Sequence, residues 1–236
     1  MVGTTINVGT ILAGSMLGVT IGSRLSEKMR ETALQGLGLV TTLVGLQMAL
    51  ETKNILIVLG AVLTGAILGE MLRIDEGLQK LGTFLQSSLS KGTKGQTARN
   101  FSEGFVMASL VFCVGPMAIL GSIQDGLSGD YRTLAVKSML DFFAAIAFSS
   151  SLGWGVGLSA FTILIYQGSL TFFAGVFAGI LTDPMIAEMT ATGGLIIVGI
   201  GLKLLDLKAI RLANFLPALA MAPILVAVVP IIKSLF

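Results

Sequence analysis

Long apolar runs alternate along the chain with short polar connections. Apolar segments of helical length fall at about residues 4–23, 33–51, 54–72, 101–122, 133–152, 155–180, 188–206 and 210–234. A helix needs about 20 residues to cross a hydrocarbon core of roughly 30 Å. The pattern therefore predicts an all-α integral membrane protein with about eight transmembrane helices. The sixth run is the longest and contains Gln167-Gly168, so the expectation there is one interrupted span.

The one long polar stretch lies between residues 73 and 100. Within it Leu78, Leu81, Leu85 and Leu89 recur at spacings of three and four, with Phe84 beside them, which predicts an amphipathic helix on the membrane surface. The run from Ser90 to Thr97 reads as a linker. Residues 26–32 are a shorter polar stretch, in which Ser26 is placed to cap a helix whose charges face water.

Composition sharpens this picture. The 236 residues are 54% hydrophobic and 12% charged, with mean hydropathy +0.91, against about 25% charged in an ordinary soluble domain. Fifteen Lys and Arg against thirteen Asp and Glu give a net charge of +2. Nucleic-acid binding needs a dense basic surface, so that partner class is set aside and the lipid bilayer takes its place. One cysteine, Cys113, and no histidine leave no disulfide framework, no zinc site and no Ser-His nucleophile. No cofactor, metal or enzymatic activity is expected. No Lys or Arg precedes Arg24, so a cleavable signal peptide is not expected and residue 1 is taken as the mature start.

Orientation follows from the basic residues, which are retained on the cytoplasmic side. With eight spans, one set of connections holds Arg24, Lys28, Arg30, Arg73, Lys80, Lys91, Lys94, Arg99, Lys203, Lys208 and Arg211, and the other holds Lys53, Arg132, Lys137 and Lys233. This asymmetry predicts that both termini are extracytoplasmic and that the segment 73–100 is cytoplasmic.

The chain also carries a faint internal repeat. Gly18, Val19 and Gly22 match Gly175, Val176 and Gly179, and Glu31 and Gly36 match Glu188 and Gly193. After a slip of one residue, Gly38, Leu39, Gly45 and Leu46 match Gly194, Leu195, Gly201 and Leu202. The repeated units are spans one to three and six to eight, and the charge pattern starts one outside and the other inside. A three-plus-three inverted-topology repeat results, a construction used by secondary transporters. One polytopic domain is thus read as a first repeat at 1–72, a cytoplasmic segment at 73–100, two inserted helices at 101–153, and a second repeat at 154–236.

Several residues within the spans carry candidate chemistry. Lys137 and Asp141 stand four apart in span five, and an ionisable residue at such a depth marks an ion or proton pathway unless the two form a structural pair. Gly115-Pro116 interrupts span four, where proline removes a backbone donor and frees carbonyls. Ser149, Gln167 and Asn214 are further polar groups that either line a pathway or bond between helices. Asp125 and Asp130 lie in the sequence Gln-Asp-Gly-Leu-Ser-Gly-Asp, read as a compact outside turn that also offers a vestibule for cations. Gly14, Gly18 and Gly22, repeated as Gly175 and Gly179, predict close helix packing, within one protomer or across a homodimer.

The opening Gly-Thr-Ile-Leu-Ala-Gly-Ser from Gly9, the Cys113-Val114-Gly115-Pro116 break, the Gln124-Asp125-Gly126-Leu127 turn and the Lys137-Ser138-Met139-Leu140-Asp141 stretch resemble bacterial inner-membrane proteins of the YdfK and YqgA type, the domain-of-unknown-function family numbered five hundred and fifty-four. The resemblance runs over nearly the whole chain. It implies a prokaryotic plasma membrane and implies neither a substrate nor catalytic residues. The residues themselves favour a secondary transporter of a small ion or polar solute, with a passive channel or a structural or regulatory membrane protein as the alternatives.

Overall fold

The computed structural model describes residues 1–80 and 96–233. Among the described residues there is no strand. The helices are α1 (Val2–Gly22), α2 (Glu27–Ala49), α3 (Ile55–Met71), α4 (Ile74–Lys80), α5 (Gln96–Cys113), α6 (Pro116–Ser128), α7 (Arg132–Leu152), α8 (Gly155–Phe172), α9 (Ala174–Ile180), α10 (Asp183–Leu204) and α11 (Leu216–Lys233), the last preceded by a 3-10 turn, Leu212–Phe215. Among the described residues six stretches are long and apolar enough to cross a membrane singly, and up to eight if the bent pairs α3–α4 and α5–α6 each form one span. Of the amphipathic segment, only the part before residue 81 is described. The remaining leucines of that pattern and the linker up to residue 95 lie outside the described residues, and Gln96 and Thr97 of the expected linker are the first residues of α5.

The surface confirms the solvent for which the chain is built. Leu39, Val40, Leu43, Leu56, Leu63, Ile67 and Phe143 stand exposed, while Thr4, Asn7, Ser15, Ser122, Ser159 and Thr192 are fully buried. Exposed apolar area of this extent marks contact with lipid, and buried polar side chains in such a bundle bond between or within helices. This is a multi-pass membrane protein.

The helices gather into two compact units. The first comprises Met1–Leu37, Glu76–Cys113 and Met117–Phe177. In it α1 lies parallel to α7, with Gly14, Gly18 and Gly22 seated on the backbone of Phe142, Ile146 and Ser150. No Cβ fits there, so three glycines one turn apart bring the two backbones together. Helix α8 runs antiparallel to α1, joining Asn7 to Gln167 near one end and Ser15 to Gly157 at the other. Helix α5 runs parallel to α8, from Gly155 seated on Phe101 to the Ser109–Thr162 hydroxyl bond of 3.0 Å. Phe112 meets Phe148 of α7 edge to face with centroids 6.3 Å apart.

The second unit comprises Gly38–Asp75, Val114–Pro116 and Ala178–Phe236. Helices α2 and α10 cross antiparallel through glycine on both sides. A Cβ on Gly45 would stand 2.7 Å from the Gly194 carbonyl, and Gly38 faces Gly201 and Leu205. Helices α3 and α11 also pack antiparallel, Gly65 against Ala218 and Gly69 against Asn214. Asn54 caps α3 by accepting from the Leu56 N–H at 3.1 Å.

The turn before α3 is tied by a side chain from α10. Glu188 is buried and accepts from the Thr52 hydroxyl at 2.7 Å and from the Lys53 and Asn54 N–H groups at 2.8 and 2.9 Å. Removing an acceptor of this kind leaves buried donors unsatisfied. Glu188→Ala is expected to destabilise the protein by about 2 kcal/mol, whereas Glu188→Gln loses less, because one carbonyl oxygen can still serve both N–H groups. Thermal melting of the two purified variants checks this, and equal losses would contradict the acceptor role.

Four expectations need correction. The capped polar stretch at 26–32 is not separate from the second span: Ser26 does accept from the Met29 N–H at 3.4 Å, but one helix runs on from Glu27 to Ala49. The seventh span begins at Asp183, five residues earlier than its apolar run, because Glu188 is satisfied inside the fold. The sixth run continues unbroken through Gln167-Gly168 and is interrupted at Phe173 instead. Finally, Gln124 to Ser128 are the last turns of α6, and only Gly129, Asp130 and Tyr131 form the connection.

Candidate functional site

Lys137 and Asp141 sit on one face of α7, four residues apart, and the ammonium donates to Asp141 Oδ2. They are 6% and 7% exposed. Asp141 is near the middle of a helix of 21 residues, so at 1.5 Å per residue it lies roughly 13 Å from the helix start. Neither charge is tolerable alone at that depth, and the i, i+4 spacing lets each neutralise the other. Cys113, the last residue of α5, lies within electrostatic range of both, and Tyr166 of α8 within range of Cys113. The pair therefore lies near the end of α5, where that helix breaks.

The break itself is sharp. Helices α5 and α6 diverge by 64° at Cys113–Pro116. Gly115 adopts φ +136°, a conformation that a residue with a Cβ rarely takes. Pro116 is then well placed as the first residue of α6, where its missing N–H has no intrahelical partner to lose. Val114 contacts Gly193, and Gly115 looks toward Met48.

The remaining sequence candidates have other surroundings. Gln167 is fully buried and accepts from Asn7 Nδ2 at 3.3 Å. Ser149 donates to the Ala145 carbonyl of its own helix and lies under Gly18, within the α1–α7 seam. Asn214 uses both amide atoms, accepting from the Asp75 N–H at 2.8 Å and donating to Glu70 at 2.7 Å, while Arg211 holds the other Glu70 oxygen. It ties the 3-10 turn to the end of α3. Asp125 is buried against the start of α1, accepting from the Gly3 N–H at 3.1 Å, and does not line an open vestibule.

Asp130 is half-buried and bound through both oxygens to Arg132, which holds its carboxyl down at about 2. Its charge is therefore already matched. Gly14, Gly18 and Gly22 pack inside the chain as described, whereas Gly175 and Gly179 have open space where a Cβ would go. These matched glycines of α1 and α9 do not perform matching packing.

The residues that sequence inspection passed over are Asn7, Glu70 and Glu188. Asn7 was detectable as the one amide inside the first apolar run. Glu70 and Glu188 stand at the ends of apolar runs, where a charge reads as a boundary and gives no sign of a partner more than a hundred residues away.

No solved structure matches this chain. It is 30% identical over 222 residues to the uncharacterized protein YqgA of Escherichia coli (strain K12), covering 94% of each chain. It is 29% identical over 233 residues to the uncharacterized membrane protein YdfK of Bacillus subtilis (strain 168), covering 97% of each. A family model described as a protein of unknown function, DUF554, matches residues 2–227. With that match over nearly its full length, the chain belongs to the DUF554 family of proteins of unknown function.

Proposed function

We propose that this protein is a secondary transporter of a small ion or polar solute that works by alternating access in a prokaryotic plasma membrane, with both termini outside the cytoplasm. The observation that carries the reading is the Lys137–Asp141 pair, buried in the middle of an apolar helix. Ionisable groups at that depth are costly, and a passive scaffold has no need of them. A carboxylate that exchanges its lysine partner for a proton or cation, or a lysine that exchanges it for an anionic substrate, is a two-state element of the kind coupled transport requires.

Helix pairing supports the inverted repeat. Matching spans one to three with six to eight makes α1 the counterpart of α8, α2 of α10 and α3 of α11. Each helix packs antiparallel against its own counterpart. Inverted repeats bring counterparts together in this way. The glycines matched by the sequence repeat, Gly38 and Gly45 with Gly194 and Gly201, meet across the α2–α10 crossing, Gly38 beside Gly201 and Gly45 beside Gly194.

The test is solid-supported-membrane electrophysiology and isotope flux on proteoliposomes, with pH jumps, monovalent cations and small organic anions as probes. The expected result is a saturable, solute-evoked signal that Asp141→Asn abolishes while the variant still elutes as folded protein. Flux that does not saturate favours a channel. The same flux in wild type and Asp141→Asn, or none in either by both methods, favours a structural or regulatory role and overturns the proposal.

A further inference from the structure

A second buried polar cluster lies in the first compact unit, where α1 begins and α6 and α8 end. Thr4 and Asn7 are three residues apart on α1, and Gln167 and Thr171 four apart on α8, so each pair shares one helix face. Because α1 and α8 are antiparallel and joined at Asn7–Gln167, Thr4 falls opposite Thr171 one turn further along. Helix α6 closes the group. Gly126 is seated on the Thr171 carbonyl, and Asp125 accepts from Gly3, the neighbour of Thr4.

All five side chains are at least nine-tenths buried, and each has an atom without a partner: Thr4 Oγ1, Asn7 Oδ1, Asp125 Oδ1, Gln167 Nε2 and Thr171 Oγ1. Buried polar atoms are normally satisfied, and five orphans from three helices in one place point to a ligand. Four are oxygens. The two amides can be oriented either way, but with one bond between them, one carbonyl oxygen always stays free.

We propose that this cluster is a binding site for a dehydrated monovalent cation, with Thr4, Asn7, Asp125 and Thr171 as oxygen ligands. Hard cations take oxygen ligands. The site contributes one carboxylate, and among the described residues no group of three Asp, Glu, Cys or His side chains is placed to hold a metal ion. The Met1 amino group meets that carboxylate at Oδ2, 3.1 Å away, so a monovalent cation takes the ammonium's place as the partner of Asp125, whereas a divalent ion would leave charge uncompensated in a low-dielectric interior. The site shares no residue with Lys137–Asp141 and does not depend on the transport reading.

The test is equilibrium binding of radioactive sodium to the full chain in nanodiscs, with choline as the control cation. Wild type is expected to bind one sodium per chain saturably. Thr4→Val and Thr171→Val, which keep the side-chain shape and remove one oxygen, each weaken binding roughly tenfold or more. Asp125→Asn abolishes it, and Glu27→Gln, at an exposed carboxylate outside the cluster, leaves it unchanged. Absence of saturable binding to wild type, or binding retained in both Thr variants, overturns the proposal. The first of these results would mean that Asp125 serves only to anchor the start of α1. The Thr variants carry the test should Asp125→Asn fail to fold.

Discussion

Lys137→Met is expected to destabilise the protein by about 3–5 kcal/mol, the largest effect of any single replacement considered. Methionine fills much the same volume and suits an apolar helix, so packing is not the cause. The loss arises because Asp141 is left buried without its partner, and must either stay charged at high cost or take up a proton. The double variant Lys137→Met with Asp141→Leu removes both charges and is expected to recover most of that loss, because a buried ion pair replaced by apolar residues is often neutral or better. Thermal or denaturant unfolding of the two single variants and the double variant in detergent measures the cycle. If the double variant is as unstable as Lys137→Met, the pair is not the unit we describe. If it is stable yet inactive in flux, the charges serve function at no gain in stability.

The second large effect is expected at the α1–α7 seam. Gly18→Leu should destabilise by about 3 kcal/mol or abolish folding, since a Cβ at that position overlaps the Ile146 carbonyl and the Ser149 hydroxyl and backbone cannot yield as a side-chain tip can. Gly175→Leu and Gly179→Leu, built on the glycines that the sequence repeat matches to Gly18 and Gly22, meet open space. They are expected to shift the melting temperature little, since the usual cost of overpacking is absent. Equal losses at Gly18 and Gly175 would show that the second glycine pair packs against something, and a second copy of the chain would then be the partner to seek by crosslinking.

These two sites are legible in the sequence to different degrees. The spacing of Lys137 and Asp141 alone puts both on one face of an apolar helix. In a bilayer such neighbours pair, so their partnership follows from local spacing and needs no tertiary contact. The glycines at four-residue spacing announce close packing too, but their partner helix is set by tertiary contacts. Nothing in the sequence distinguishes Gly18, which needs its missing side chain, from Gly175, which does not.

Buried polar residues show the same division. Gln167 is visible as a polar group in an apolar run, but its pairing with Asn7, 160 residues away, depends on α1 and α8 lying antiparallel. Asp125 sits in a stretch rich in Gly, Ser and Asp, which locally favours a turn. Its helical, buried state follows from the α1 N–H that it satisfies. Asn214 and Ser149 have the polarity of pathway residues, and their surroundings give them partners within helix junctions.

The sequence by itself determined the solvent, the class and the rhythm of this protein. Apolar run length, scarcity of charge and the placement of proline and glycine act locally, so they specify a helical membrane protein with a break at Gly115-Pro116 wherever its helices go. Tertiary structure decided which helix faces which, because in lipid, apolar faces do not select their neighbours by hydrophobicity, and selection falls to close glycine contacts and a few buried hydrogen bonds. Many of those contacts join residues more than a hundred positions apart. They sort the glycines into those that pack and those that do not, and they gather Thr4, Asn7, Asp125, Gln167 and Thr171 from three helices into one site.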